Sequence, residues 1–270
     1  MNDQQLMEIN KKRWNEKVYA NQKSPVYDVQ GFLEGRSTLL PIEVQEVGPV
    51  EGKDLLHLQC HFGMDTLSWA RKGARVTGVD FSPDAIRMAK DLSARIGEKA
   101  EFIESNIYDL ERTDLGQFDI IFTSYGVLCW LPDLRPWAKW ISEHLRPGGF
   151  FYVIENHPFG SLIDENCLDF FKASYSYFSK APLMFDDDVP IIDQGHQFQN
   201  KERHEWMHTV SEVIDVLIDQ GLRLDFFHEF PFCFFPMHPL MQKGDDGYWH
   251  FVNGNFNVPM LFSLKARKSE

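Results

Sequence analysis

The sequence predicts a doubly wound α/β fold, in which helices cover both faces of a mostly parallel sheet. Three observations carry this prediction. From Lys53 onward, short apolar runs alternate with longer segments of helical periodicity, a pattern typical of a parallel sheet. The first run leads into a tight turn that contains Gly63, and the second run ends on an acid, Asp80. Turns and acids in these places mark the ligand-binding edge of doubly wound sheets.

Residues 1–52 precede this pattern, and we interpret them as a helical cap. A weakly amphipathic stretch predicts a helix over Leu6–Tyr19, with Met7, Trp14 and Val18 near one face. A second helix is expected over Ser37–Gln45, after a segment punctuated by Gly and Pro.

Residues 53–155 form the expected core of the fold. The predicted strands are Asp54–Leu58, Ala74–Asp80, Glu101–Ser105, Phe118–Ser124 and Gly149–Glu155. The predicted helices are Asp65–Lys72, one that begins at Ser82, and Leu134–Leu145. Ser82 suits an N-cap and Pro83 the first helical position, so the start of the middle helix is well marked.

Residues 156–208 interrupt the alternation, and residues 209–270 resume it. The interruption is rich in aromatic residues and lacks clear periodicity, which favours an insertion or lid over a plain loop. A helix is expected over Ser211–Gln220, followed by strands at Leu222–Phe230 and Met260–Lys265 that complete the core.

Composition limits the classes of function. The formal net charge of −13 over 270 residues argues against a nucleic-acid partner, because phosphate contacts need clustered Lys and Arg. Four scattered cysteines without a C-x-x-C pair favour a reduced, cytoplasmic protein. We expect no signal peptide and no membrane span, since the N-terminus lacks an apolar region and no apolar run approaches about 18 residues.

The turn Gln59-Cys60-His61-Phe62-Gly63 and Asp80 are the leading site candidates. The turn must pass close under a ligand and point helix amides at it, and Gly63 suits a conformation or approach that a Cβ would block. Asp80 follows Gln59 by 21 residues, where a carboxylate can accept hydrogen bonds from both hydroxyls of a ribose. The alternative is that Asp80 only serves the start of the next helix, before Ser82-Pro83.

The run LLHLQCHFGMDTLSWARKGARVTGVDFSPDAI resembles the first two motifs of class I S-adenosylmethionine (SAM)-dependent methyltransferases. His57 stands where that family has an acid, Gln59 and His61 stand at the first two glycine positions, and only Gly63 is retained. The chain therefore resembles a divergent branch with HLQCHFG in place of the usual motif. The resemblance covers about Lys53 to Asn156 and implies a Rossmann-like sheet of seven strands with an antiparallel last strand.

The same resemblance implies SAM as cofactor and a set of contacts to it. Gln59, His61 and Gly63 would border the methionine part, with Ser124 and Tyr125 at the end of the fourth predicted strand. Asp80 would bind the ribose. The adenine would be flanked by Phe81 and met at its edge by Asn106 and Ile107.

A general base is needed only for an acidic acceptor, because alignment and exclusion of water supply most of the acceleration of methyl transfer. The candidate bases are His61, Glu155 and His157, of which the last two end the fifth predicted strand. Each has a structural alternative: a hydrogen bond within its own turn, an ion pair or exposure to solvent. Trp14 and Tyr19 are candidates for cation–π contact with the sulfonium, or for packing of the N-terminal helix.

Two other patterns are weaker. His204-Glu205-Trp206-Met207-His208 matches the H-E-x-x-H zinc signature, but Thr209 and Glu212 form a capping box that starts a helix after it, so we expect no metal site. Asp186-Asp187-Asp188 is interpreted as a solvated loop. The insertion's aromatics would line a substrate pocket, form a lid core or form a homodimer interface, and they are Phe170, Phe171, Tyr175, Tyr177, Phe178 and Trp206.

The sequence thus predicts a SAM-dependent methyltransferase with a small-molecule acceptor. The acidic charge and the aromatic insertion favour a small acceptor, and the stretch Ser124-Tyr-Gly-Val127 lacks the Asn/Asp-Pro-Pro-Tyr motif expected for methylation of amide or base amino groups. A protein or RNA methyltransferase, an NAD-dependent oxidoreductase and a SAM-binding protein without catalysis are the alternatives. No nucleic-acid or membrane partner is expected.

Overall fold

The computed structural model describes residues 1–164, 172–187, 196–252 and 257–270. The helices are α1 Asp3–Lys23, α2 Val29–Leu33, α3 Pro41–Val47, α4 Met64–Arg71, α5 Pro83–Ile96, α6 Leu134–His144 and α7 Val210–Asp219. The strands are β1 Asp54–Leu58, β2 Arg75–Asp80, β3 Ala100–Glu104, β4 Phe118–Ser124, β5 Leu145–Asn156, β6 Leu183–Asp186, β7 Glu202–Glu205, β8 Leu222–Phe230, β9 Met241–Lys243, β10 Trp249–Phe251 and β11 Leu261–Lys268.

Seven of these strands form one sheet in the order β3-β2-β1-β4-β5-β11-β8. Neighbours from β3 to β5 pair in parallel, and β11 runs antiparallel to both β5 and β8. The predicted Rossmann-like sheet with one antiparallel strand is confirmed. Because the parallel strands share a direction, the carboxyl ends of β1 to β5 meet at one edge.

Helices bury both faces of the sheet, as the alternating strand–helix pattern predicts. Leu56 and Leu58 of β1 pack with α6 and α7 on one face, in a cluster that includes Trp137 and Leu217. Leu55 points the other way and packs with Trp69 of α4. Leu55 and Leu56 are adjacent in an extended strand, so their side chains point to opposite faces of the sheet.

Ser82 caps α5 as predicted, and its Oγ accepts a hydrogen bond from the Ala85 N–H at 3.1 Å. The predicted start of the fifth strand is wrong, since β5 begins at Leu145 rather than Gly149. Leu145 pairs with Phe118 and Phe150 pairs with Ile120, so the Arg146-Pro-Gly-Gly segment forms an irregularity in β5 opposite β4. At Gly149 a Cβ would lie 2.9 Å from the Asp119 carbonyl oxygen, so glycine permits this close strand approach.

Two short hairpins were not predicted. Strands β6 and β7 pair antiparallel within the insertion, and β9 and β10 pair in the connection between β8 and β11. The first hairpin lies against α1: the buried Asn10 side chain donates to the His204 carbonyl oxygen at 2.7 Å and accepts from the His204 N–H at 2.9 Å. Thus α1 and β7 together cover the carboxyl edge of the sheet.

Candidate functional site

A cavity of about 850 Å³ opens at the carboxyl ends of β1, β2 and β4, under the cover formed by α1 and β7. This volume falls in the range of small-molecule sites, about 300–1,000 Å³. The cavity brings together all nine residues expected to contact a cofactor, which are Gln59, His61, Gly63, Asp80, Phe81, Asn106, Ile107, Ser124 and Tyr125. Of the three candidate bases, His61 and Glu155 line it as well.

The turn after β1 keeps a glycine-type backbone without the glycines. Gln59 and His61 have φ angles of 51° and 52°, and Gly63 has 78°. Left-handed conformations cost non-glycine residues about 1–2 kcal/mol each, and such strain gathers at functional sites. Both amide atoms of Gln59 are buried without a hydrogen-bond partner among the described residues. This side chain is therefore available to a ligand.

Gly63 meets a packing requirement that the sequence did not reveal. A Cβ at this position would lie 2.7 Å from the Phe102 ring and 2.9 Å from the Ala89 Cβ. A close approach that a Cβ would block is therefore present at Gly63. The atoms that approach the turn belong to β3 and α5 of the protein itself.

Asp80 serves the start of the next helix, and its carboxylate also borders the cavity. Its Oδ2 accepts from the His61 N–H at 2.8 Å, and its Oδ1 accepts from the Ser82 N–H at 2.9 Å. The carboxylate therefore ties the glycine-type turn to the start of α5 while it borders the cavity. Burial raises the pKa of Asp80 to about 6, and the two backbone donors oppose that shift.

Phe81, Asn106 and Ile107 border the same cavity beside Asp80. Asn106 caps a short 3₁₀ helix, and its Oδ1 accepts from the Tyr108 N–H at 3.1 Å. The Ser105 N–H donates to the Asp80 carbonyl oxygen at 3.0 Å, which joins the ends of β2 and β3. The Phe81 ring, the Asn106 amide and the apolar Ile107 side chain thus lie together at the ends of the adjacent strands β2 and β3.

A carboxylate near the first strand comes from a residue that sequence reasoning missed. Ser124 Oγ donates to Asp65 Oδ2 at 3.1 Å and lies 3.3 Å from His57 Nε2. His57 Nδ1 lies 2.8 Å from Thr66 Oγ1, and burial lowers the pKa of His57 to about 3, so the ring is neutral. Asp65, in the first turn of α4 just beyond the motif, thus brings a carboxylate into contact with Ser124, which lies next to His57.

Tyr125 is positioned by a second missed acid. Its hydroxyl donates to Glu43 Oε2, and the other carboxylate oxygen of Glu43 accepts from the Leu40 N–H at 2.8 Å. Burial raises the pKa of Glu43 to about 8, with a further contribution from Asp65. The contact joins positions 82 residues apart, which no local pattern could indicate.

Of the three candidate bases, His61 is the one that lines the cavity and whose side chain makes no hydrogen bond shorter than 3.5 Å among the described residues. Its ring centroid lies 5.4 Å from that of Trp14 and 5.7 Å from that of Tyr27. Its Nε2 lies 3.5 Å from Asn21 Nδ2. Burial lowers the pKa of His61 to about 3, so the ring is neutral near pH 7 and a weak base.

The geometry disfavours the other two candidate bases. The Glu155 carboxylate accepts from four backbone N–H groups, at Gly126, Val127, Leu128 and Asn156. These bonds fix the segment after β4 and occupy the oxygens. The prediction that His157 lies in the site is wrong, because its ring is outside the cavity lining and its Nε2 lies 3.0 Å from Glu229 Oε1.

The N-terminal helix contributes more to the cavity than the sequence indicated. Met7, Asn10, Trp14 and Lys17 line the cavity at the three- and four-residue spacing of one helix face. Cation–π contact of Tyr19 with the sulfonium is disfavoured, because Tyr19 is outside the cavity lining, is 41% exposed and accepts a hydrogen bond from Arg87 at its hydroxyl. The spacing from Trp14 was the signal that would have identified Lys17.

Only some aromatic residues of the insertion contribute to the cavity lining among the described residues. Tyr175 and Trp206 line the cavity, whereas Phe178 is 74% exposed, and Phe170 and Phe171 lie outside the described residues. Asp187, predicted to lie in a solvated loop, keeps 38% of its side chain exposed and pairs with both Arg13 and Arg203. Asp188 lies outside the described residues.

The H-E-x-x-H match is not a metal site in this fold. His204 lies in β7 with its Nε2 2.7 Å from Glu202 Oε1, and His208 Nε2 lies 2.7 Å from the Leu131 carbonyl oxygen. The helix begins only after Thr209, whose Oγ1 accepts from the Glu212 N–H at 3.1 Å, as predicted. Among the described residues no group of three or more His, Cys, Asp or Glu could hold a metal ion.

Comparison with known proteins agrees with this architecture. Residues 56–151 match the family model described as a methyltransferase domain. The ubiquinone biosynthesis O-methyltransferase of Escherichia coli is 25% identical over 137 residues, which is 48% of this chain and 57% of the relative. The chain thus spans a little over half the length of the curated relatives that it matches.

Two solved structures share the fold at low identity. A protein from Listeria monocytogenes, assigned as an S-adenosylmethionine dependent methyltransferase, aligns with a TM-score of 0.61 at 18% identity, over 85% of this chain and 96% of its own. An S-adenosylmethionine dependent methyltransferase from Mesorhizobium loti aligns with a TM-score of 0.58 at 17% identity, over 87% of this chain and 100% of its own.

Proposed function

We propose that this chain, whose core is a class I SAM-dependent methyltransferase domain, transfers a methyl group from SAM to a small-molecule acceptor by in-line displacement. One observation carries the proposal: the nine expected cofactor contacts border a single covered cavity at the carboxyl edge of the sheet. Ligands of doubly wound sheets bind at that edge, where the strand order reverses between β1 and β4.

The side chains suit SAM part by part. Phe81, Asn106 and Ile107 would hold the adenine, and the Asp80 carboxylate would accept from the ribose hydroxyls. The unpartnered Gln59 amide and the Asp65 carboxylate offer an acceptor set for the methionine ammonium group. When bound, SAM supplies a methyl group already activated on a sulfonium centre. The protein's own residues bind, orient and exclude water.

The acceptor is proposed to be small because of what surrounds the cavity. Helix α1 and strand β7 cover the edge of the sheet, and the Asn10–His204 hydrogen bonds join them. A cavity of about 850 Å³ under such a cover has room for a cofactor and a small molecule. The chain's net charge of −13 also weakens the case for an RNA acceptor.

No strong protein base is needed in this proposal. Glu155 serves as a positioning residue that fixes the segment after β4, and His157 lies outside the cavity. His61 is proposed to contact the methionine part and the acceptor as a neutral ring, because a base with a pKa of about 3 removes protons poorly near pH 7.

The direct test is transfer of a labelled methyl group from SAM to a panel of small phenols, amines and carboxylic acids. The proposal expects one class of acceptor to become labelled, and Asp80→Ala to lower kcat/KM by about 10–100-fold. Asp84→Ala is the matched control, since Asp84 lies in the first turn of α5 outside the cavity lining. Binding of SAM without labelling of any acceptor class, or equal activity of the two variants, would contradict the proposal.

A further inference from the structure

A cluster of charges lies where α1 meets β7, at the covered side of the cavity. Arg13, Lys17, Arg203, Asp187 and Glu205 all line the cavity there. Of these five cavity-lining side chains, three are cationic and two are anionic, so the lining has one positive charge in excess here. Glu16, whose charge also acts on Arg13, lies outside the lining. Excess positive charge inside a protein of net charge −13 calls for a specific explanation.

Both arginines in the cluster are fully engaged by the protein. Arg13 donates to the carbonyl oxygens of Asp187, Asn200 and Lys201 at 2.9, 3.1 and 2.7 Å, and to the Asp187 carboxylate. Arg203 donates to Asp187 Oδ2 at 2.9 Å and to Glu205 Oε1. These pairs hold the β6–β7 hairpin against α1. They also engage both carboxylates of the cluster, Asp187 and Glu205.

Lys17 is the excess charge. Its Nζ lies 4.2 Å from the centroid of the Trp14 ring, and no carboxylate among the described residues comes within salt-bridge distance of it. Burial lowers the pKa of Lys17 to about 8, and the Arg203 and Arg13 charges add to the effect. The ammonium group still carries its proton near pH 7, so a partly buried cation faces the cavity with no carboxylate of the described residues paired to it.

Lys17 has neighbours on α1 and in the segment after β4, and its charge also acts on His61. Trp14 lies edge-on to Trp130 at 5.3 Å between centroids, and the Trp206 N–H donates to the Cys129 carbonyl oxygen at 2.8 Å. The surrounding wall is aromatic, with Phe185 and Phe198 under the two arginines. This part of the cavity suits a flat apolar body that bears one negative charge.

We propose that the methyl acceptor is an aromatic or apolar molecule with one anionic group, and that Lys17 binds that group. The inference rests on the proposed function and narrows it to a class of substrate. Lys17 acts here as a specificity-determining residue. An anion at this place would complete the ion pairing that the protein leaves unfinished.

The test separates the acceptor from the cofactor. Calorimetry on protein saturated with S-adenosylhomocysteine compares hydroxybenzoates with the matching hydroxybenzamides, which differ in charge at nearly constant shape. The wild-type protein is expected to bind the best carboxylate at least about tenfold more tightly than its amide. Lys17→Met, which keeps the apolar stem, should abolish this preference, whereas Lys17→Arg should retain part of it.

The controls decide what a loss means. Lys12→Met removes an exposed lysine of the same helix, outside the cavity lining, and should leave the preference unchanged. SAM affinity of Lys17→Met should stay within about twofold of the wild type. A large loss of SAM affinity would overturn the inference, because Lys17 would then serve the cofactor. Equal binding of carboxylates and amides, or no binding of any anionic probe, would also overturn it. Failure of the wild-type protein to bind SAM would instead contradict the proposed function.

Discussion

Among single residues, Asp80 gives the proposed ribose contact a dependence on pH. Burial raises its pKa from 3.8 to about 6, and only the ionised carboxylate can accept from both ribose hydroxyls. Below about pH 6, SAM binding must therefore release a proton from Asp80. The Kd for SAM should then rise about tenfold for each unit by which the pH falls, whereas above about pH 6 it should be constant.

Titration calorimetry from about pH 5 to about pH 8 measures this dependence. Asp80→Asn should weaken SAM binding and flatten the profile, while Asp84→Asn should leave both unchanged. A wild-type Kd independent of pH across this window would remove Asp80 from the cofactor site.

Gly63 offers a second test at the same scale. In Gly63→Ala the new Cβ would lie 2.7 Å from Phe102, so overpacking should add about 1–3 kcal/mol to the cost of the positive φ. Gly221→Ala is the matched control, because Gly221 has a φ of 77° and no atom within 4 Å of the added Cβ. Chemical denaturation should show a larger loss of unfolding free energy for Gly63→Ala. Equal losses would mean that the turn relaxes freely.

At the scale of elements, the cover depends on one buried amide. Asn10 is 1% exposed, and both of its hydrogen bonds end on the backbone of His204 in β7. Asn10→Ala leaves a buried N–H and C=O unpaired, at a cost of about 1–3 kcal/mol. Hydrogen exchange should then quicken in α1 and in the β6–β7 hairpin, with α7 and β8 unaffected. Lys12→Ala, at an exposed position of α1, is the control. Uniform acceleration across the sheet would show that the hairpin is not a separate cover.

The elements also show how far local pattern reaches. Strands β1, β4 and β8 have the predicted bounds, and the start of α5 follows from Ser82 and Pro83. Buried strands and capped helices are specified by adjacent residues, so their signals are visible in the sequence. The β6–β7 hairpin forms through contacts with α1, such as those of Arg13 with residues 174 to 188 positions away. Such pairings have no local signal.

The candidate site divides in the same way. Asp80 and Gly63 were found by their spacing within one βαβ unit. Asp65 and Glu43 were missed because they reach the site from helices outside the motif. A motif specifies residues at fixed positions and does not show which distant carboxylates contact them. His157 was misplaced because the strand end fixed its height in the sheet but not the side to which its ring turns.

At the scale of the whole molecule, the sheet order directs a ligand to one crevice. The order β3-β2-β1-β4-β5-β11-β8 places the reversal between β1 and β4, and the cavity lies above it. The antiparallel β11 distinguishes this sheet from the all-parallel dinucleotide-binding arrangement. Among the described residues, no helix has the length and apolar character needed to cross a bilayer.

Titration of the purified protein with SAM and, separately, with NAD distinguishes a methyltransferase site from a dinucleotide site. The glycine-type turn carries Gln59 and His61 side chains where a pyrophosphate requires bare backbone, whereas their polar atoms suit a methionine moiety. We predict saturable one-to-one binding of SAM with a Kd in the micromolar range, a binding free energy of about −8 kcal/mol, and no measurable binding of NAD. Tight binding of NAD without binding of SAM would contradict it.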